Sequence, residues 1–161
     1  MNSAATTFNV GDDASDRQYR AILSFNTASL PDNAVVSRVT LKIRKQAQVG
    51  TDAFSTHGGL LVDVRNPFFG ASVNLEVGDF QASANKLAVG TFGVMPASNW
   101  YSVYLNAAAF PFINKTGVTQ FRLRFQKDDN DDSGADYVKF YSGDYGTVSA
   151  RPTLIIEYYT P

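Results

Sequence analysis

The chain has no cysteine and a single histidine, His57. The first absence excludes disulfides and thiol catalysis and argues against thiolate metal sites. It leaves the redox compartment open. The second makes His57 the one imidazole available to a catalytic triad or dyad. Its surroundings, Thr56-His57-Gly58-Gly59, carry no nucleophile signature, so His57 reads as a loop residue. Neither sign of charge dominates: 14 Lys and Arg stand against 15 Asp and Glu, a net −1. Such a balance provides no global field for nucleic acid or an anionic membrane.

Long apolar runs are missing too. No stretch approaches the roughly 18 residues a membrane-spanning helix needs, so membrane insertion is not expected. Met1-Asn2-Ser3 lacks the basic and apolar regions of a signal peptide. If the chain is exported, its signal lies outside these residues, and the chain is then a module excised from a larger protein. Phosphate-cradling loops of the G-x-x-x-x-G-K-[ST] and G-x-G-x-x-G types do not occur. The acids Asp63, Glu76, Asp79 and Glu157 are scattered singly, which is weak ground for a glycosidase pair. The expectation is a protein without catalytic activity.

What remains is aromatic and alternating. Hydrophobic residues make up 44% and aromatic residues 13% of 161 positions, enough for one self-supporting domain. The stretch from Gln18 to Arg44 organises the rest. Tyr19, Ala21, Leu23 and Phe25 share one parity. Val35, Val39, Leu41 and Ile43 also share a parity, against Arg38, Thr40, Lys42 and Arg44. Period-two alternation marks strands with one buried face, and Leu30-Pro31-Asp32-Asn33 supplies the turn between them. Further strands are expected at 4–10, 60–64, 100–105, 118–127, 137–142 and 153–159. Asp79 to Ala84 reads as a short helix, and Asn106 to Asn114 as another interrupted by Pro111. Lys45 to Gly59 loses periodicity, and Thr91 to Asn99 reads as loop. Many short strands and little helix predict an all-β fold, an antiparallel two-sheet β-sandwich of jelly-roll type.

Several of these pieces also carry a resemblance. They are Arg20-x-x-Leu23-x-Phe25, Ser29-Leu30-Pro31-x-x-Ala34-x-Val36, Val39-Thr40-Leu41-Lys42-Ile43, Trp100-Tyr101-Ser102-Val103, Phe140-Tyr141-Ser142-Gly143 and the closing Arg151 to Tyr158. Together they resemble the DNRLRE-type extracellular domains, β-sandwich modules of large secreted and surface proteins of bacteria and archaea. The resemblance implies a β-sandwich in an extracellular or cell-surface setting, beside neighbouring domains of a parent protein. Some relatives are regarded as carbohydrate-binding modules.

Two constellations could carry chemistry. Trp100 and Tyr104 share the polar face of one expected strand, and Tyr137 and Tyr141 that of another. Aromatic faces stack on the C–H faces of sugar rings. Arg122, Arg124, Lys139 and Lys42 are expected to face outward beside them and to pair with sugar hydroxyls or uronate carboxylates. Trp100, Tyr104, Tyr137, Tyr141, Arg122 and Arg124 therefore form the expected ligand-binding surface, for a polysaccharide.

The second is acidic. Asp128 to Asp136 holds five carboxylates in nine residues, and acids at alternate loop positions suit an oxygen-seeking ion such as Ca²⁺. Asp128, Asp129, Asp131, Ser133 and Asp136 are its expected ligands, with Asp12, Asp13 or Asp16 as completing partners. The twelfth position is Phe140 and the flanks read as strands, so this is no EF-hand. The competing reading is a solvated acidic loop. For the whole chain it is a structural spacer or assembly domain of a cell-surface or fibre protein, with no glycan ligand.

Overall fold

Alternation becomes two sheets in the computed structural model, which describes residues 1–161. Ten strands form in chain order: β1 (Thr7–Asp12), β2 (Gln18–Tyr19), β3 (Ala21–Asn26), β4 (Val35–Gly50), β5 (Leu60–Arg65), β6 (Lys86–Phe92), β7 (Trp100–Tyr104), β8 (Val118–Phe125), β9 (Asp136–Tyr141) and β10 (Thr153–Tyr159). One helical turn, α1 (Ala53–Thr56), follows β4, and 3₁₀ turns occupy Val77–Phe80, Ala107–Phe112 and Val148–Ala150. The larger sheet runs β10-β4-β9-β1-β2, with β7 also paired to β4. The smaller runs β3-β8-β5-β6. Every pairing is antiparallel. The protein is an all-β sandwich.

The inward parity of each strand fills the space between the sheets. Val39, Leu41 and Ile43 of β4 and Val138 and Phe140 of β9 come from one side. Leu60, Val62 and Val64 of β5 and Phe121, Leu123 and Phe125 of β8 come from the other. All eleven are at most 1% exposed. At roughly 1.5–3 kcal/mol for each fully buried large apolar side chain, this layer dominates stability.

The structure revises four of the expected boundaries. The stretch from Gln18 to Arg44 is three strands rather than two. Tyr19 pairs with Gly11 in the larger sheet, whereas β3 begins at Ala21 in the smaller. Lys86–Phe92 is a strand that the sequence reading leaves unassigned. The helix expected at 79–84 is a 3₁₀ turn at Val77–Phe80, where the Asp79 carboxylate accepts from the Glu76 amide at 2.8 Å. Finally, β4 continues to Gly50. A bulge between Lys45 and Ala47 shifts its register against β9, and an inserted residue breaks the period by which a strand is read.

Candidate functional site

The outer face of the larger sheet is built by β4, β7 and β9. On β7, Tyr101 and Val103 are buried, which turns Trp100, Ser102 and Tyr104 outward. Register then places Arg44 opposite Trp100, Lys42 opposite Ser102 and Thr40 opposite Tyr104. The outcome is a strip of alternating rings and cations. The Lys42 ammonium lies 5.2 Å and the Arg44 guanidinium 6.0 Å from the Trp100 ring centre. Arg44 also stands 5.9 Å from the Tyr141 ring, and Tyr141 meets Tyr145 at 4.2 Å. At the other end Arg38 lies 5.5 Å over Tyr104, which is 71% exposed.

Tyr137 shares this face but is engaged edge-on by Tyr19, at 5.5 Å. The strip's one ion pair is Arg38 with Glu157, at 3.0 Å. Lys42 and Arg44 have rings rather than carboxylates for neighbours. The arrangement can therefore offer both stacking planes and donors to a ligand.

Arg122 and Arg124 do not belong to this surface, which corrects the sequence expectation. They lie on the outer face of the smaller sheet, and the connection from Asn66 to Asn85 folds across it. Arg122 is only 4% exposed. Its guanidinium reaches Asp63 at 3.0 Å, donates to the Ala82 carbonyl at 2.7 Å and lies 4.7 Å over the Phe69 ring. Arg124 donates to the same Asp63 at 2.9 Å. Burial acts to push the Asp63 carboxyl up, but the bonds from Arg124, the Ala88 amide and Arg122 outweigh it and hold it below the usual carboxylate range. Gln120 completes the staple, accepting from the Phe69 amide at 2.9 Å and donating to the Val73 carbonyl at 3.1 Å.

The acidic loop also separates into parts. Asp128 forms a two-pronged ion pair with Arg20, whose guanidinium stacks 4.2 Å over Phe80. Asp131 and Ser133 are exposed. The Asp131 amide donates to Asp129 at 2.8 Å and the Ser133 amide to Asp16 at 3.1 Å. Asp13, another expected partner, is held by Arg17 at 2.7 Å and by the Tyr19 hydroxyl at 2.7 Å. The five residues expected to share one ion do not converge.

A different group does. Asp12 and Asp136 face one another across β1 and β9, and His57 at the end of α1 closes over them. All three are at most 1% exposed, and one donor atom from each lies within 4.8 Å of the others. His57 Nε2 stands 3.3 Å from Asp12 Oδ1, while its Nδ1 has no hydrogen-bond partner. Asn130 donates its amide to Asp12 at 3.3 Å and its side-chain N–H to Asp136 at 2.9 Å. Thr51 adds a backbone donor to Asp136 at 3.1 Å.

Burial pushes the Asp12 carboxyl above its ordinary value, and the neighbouring Asp129 carboxyl pushes the same way. The Asn130 amide and His57 act against that rise. Gly11 and Gly50 let the strands close here. Both have positive φ, and a Cβ at either would fall within 2.1 Å of the Ala135 or Asp136 carbonyl oxygen.

No protein-family model and no curated protein matches the chain. The site must be read from its own chemistry.

Of the expected site residues, Trp100, Tyr104, Tyr137 and Tyr141 share one face, and Asp129 and Asp136 share one corner. His57, expected as a loop residue, is sealed inside that corner. A sequence signal for it did exist: Asp52 caps a turn whose Ala53 and Phe54 are apolar, which draws the following residue inward. The covering of Arg122 was also signalled. The Asn66–Asn85 connection carries Phe68, Phe69 and Phe80, too many large rings for a loop lying in solvent.

Proposed function

We propose that the chain is a non-catalytic extracellular module that binds polysaccharide on the outer face of the larger sheet. The observation that carries this reading is the Trp100 ring, flanked by Lys42 and Arg44 and continued through Arg44 to Tyr141 and Tyr145. Partly exposed rings of this kind offer flat apolar planes to pyranose C–H faces. The interleaved cations offer donors to hydroxyls and to uronate carboxylates. The resemblance to DNRLRE-type domains supports the compartment and the class of ligand. Burial of His57 beside two carboxylates, away from solvent, supports a role for the chain outside catalysis.

A glycan-array screen of the purified chain tests the reading. Binding to a restricted set of polysaccharides, lost in Trp100→Ala, is the expected result. An array without any signal above background overturns it.

One observation favours a second reading, a spacer or assembly domain. The edge strand β10 exposes Ile155, Tyr158 and Tyr159 at 43%, 43% and 58%, an apolar rim suited to a neighbouring domain. Sedimentation velocity separates the two readings. Concentration-dependent association that Tyr159→Ser weakens, with a silent glycan array, favours assembly.

A further inference from the structure

We propose that Asp12, His57 and Asp136 form a buried site for a first-row divalent transition-metal ion of the Zn²⁺ or Mn²⁺ type, with Asp129 at its rim. This site is separate from the aromatic face and does not rest on it.

The argument begins with charge. Asp12 and Asp136 are a cross-strand pair, both fully buried, and the part-buried Asp129 directly precedes Asn130, which bonds both of them. Two carboxylates so close together repel one another strongly once water is removed. Elsewhere this protein answers the same problem with arginine: Asp63 takes two guanidiniums, and Asp128 takes one. No lysine or arginine reaches Asp12 or Asp136. The only side chain with basic character there is His57, and neutral amides satisfy the remaining oxygens in part.

The donor set then points to the kind of ion. Ca²⁺ and Mg²⁺ prefer oxygen ligands throughout, whereas an imidazole nitrogen suits Zn²⁺ and its first-row neighbours. Here the imidazole is fully buried, its Nε2 faces Asp12, and the ligand atoms of Asp12, His57 and Asp136 lie within 4.8 Å of one another. The scaffold is also rigid, since the ligands come from two paired strands and a capped helical turn, with Gly11 and Gly50 admitting the close approach.

The chain without an affinity tag, stripped with EDTA, provides the test. It contains one histidine and no cysteine, so an imidazole-dependent signal can arise only here. Zn²⁺ or Mn²⁺ is expected to raise the melting temperature by several degrees, and by more than the same concentration of Ca²⁺. Co²⁺ is expected to develop a visible absorption spectrum that His57→Gln abolishes. If His57→Gln does not fold, Asp129→Asn serves instead, because Asp129 lies at the rim and only part-buried. It should keep the circular-dichroism spectrum of the parent and bind Co²⁺ about tenfold more weakly. Stabilisation by Ca²⁺ equal to or above that by Zn²⁺ and Mn²⁺ overturns the assignment of the ion. No melting shift and no Co²⁺ spectrum overturns the site.

Discussion

The outer faces of the two sheets carry the same kinds of residue and come to opposite ends. Each has arginines set over aromatic rings. On the smaller sheet, Arg122 lies over Phe69 and Arg20 over Phe80, beneath or beside the Asn66–Asn85 connection. Their charges are met by Asp63 and Asp128. On the larger sheet, Arg44 and Lys42 lie beside Trp100 with no acid in contact, and all three stay partly exposed. The first face therefore holds the protein together, and the second is free to meet something else. The same pairing of ring and cation is structural or functional according to whether a carboxylate and a covering segment accompany it.

The largest effect that sharpens this contrast is on stability. Asp63→Ala leaves two guanidiniums facing one another with Arg122 buried, and should cost about 3–5 kcal/mol in chemical denaturation. A cost below about 1 kcal/mol would mean that the covered face is not held by charge. The same carboxylate gives the protein an acid limb. Its value is depressed on folding, so its contribution is present above the unfolded carboxylate's value of about 3.9. That contribution is lost as pH falls below it through the folded value. Wild-type stability should thus drop between about pH 4 and the folded value, and Asp63→Asn should show a smaller drop over the same range. Equal slopes would break the account of Asp63.

Effects on the open face should fall on binding instead. Arg44→Ala, which removes the cation shared by Trp100 and Tyr141, should weaken polysaccharide binding by about 0.5–1 kcal/mol while leaving the denaturation midpoint unchanged. Isothermal titration against the best glycan from the array measures the first and urea unfolding the second. Smallest of all should be Glu157→Gln. Its pair with Arg38 is half-exposed, and such pairs contribute about 0–1 kcal/mol. Freeing Arg38 beside Tyr104 should leave stability within that range and leave glycan affinity equal or slightly higher.

The sandwich was readable from period-two alternation because each strand has one buried face. Tyr101 and Val103 were placed inward and Trp100 and Tyr104 outward on that ground alone, and so they lie. Alternation tells which side of a sheet a residue takes, but not what lies over that side. Arg122 and Arg124 alternate as surface residues do, and the covering Phe68, Phe69 and Phe80 come from another part of the chain. The acidic loop is arranged by more than its local spacing. Its local spacing suggested one ion held by neighbours in sequence, whereas Asn130 and Asp132 accept from backbone amides within the loop. The carboxylates that converge, Asp12 and Asp136, are joined by strand register across the whole chain. His57 was the hardest to place, since its burial depends on a turn packing beneath it.

The contrast between the faces is tested most directly by one pair of variants measured on one ligand. Trp100→Ala and Arg124→Ala, each confirmed as folded, would be compared with the parent by retardation in gels containing the best polysaccharide from the array. Loss of retardation in Trp100→Ala with retention in Arg124→Ala is the predicted result. Undiminished retardation of Trp100→Ala would contradict the assignment of the open face.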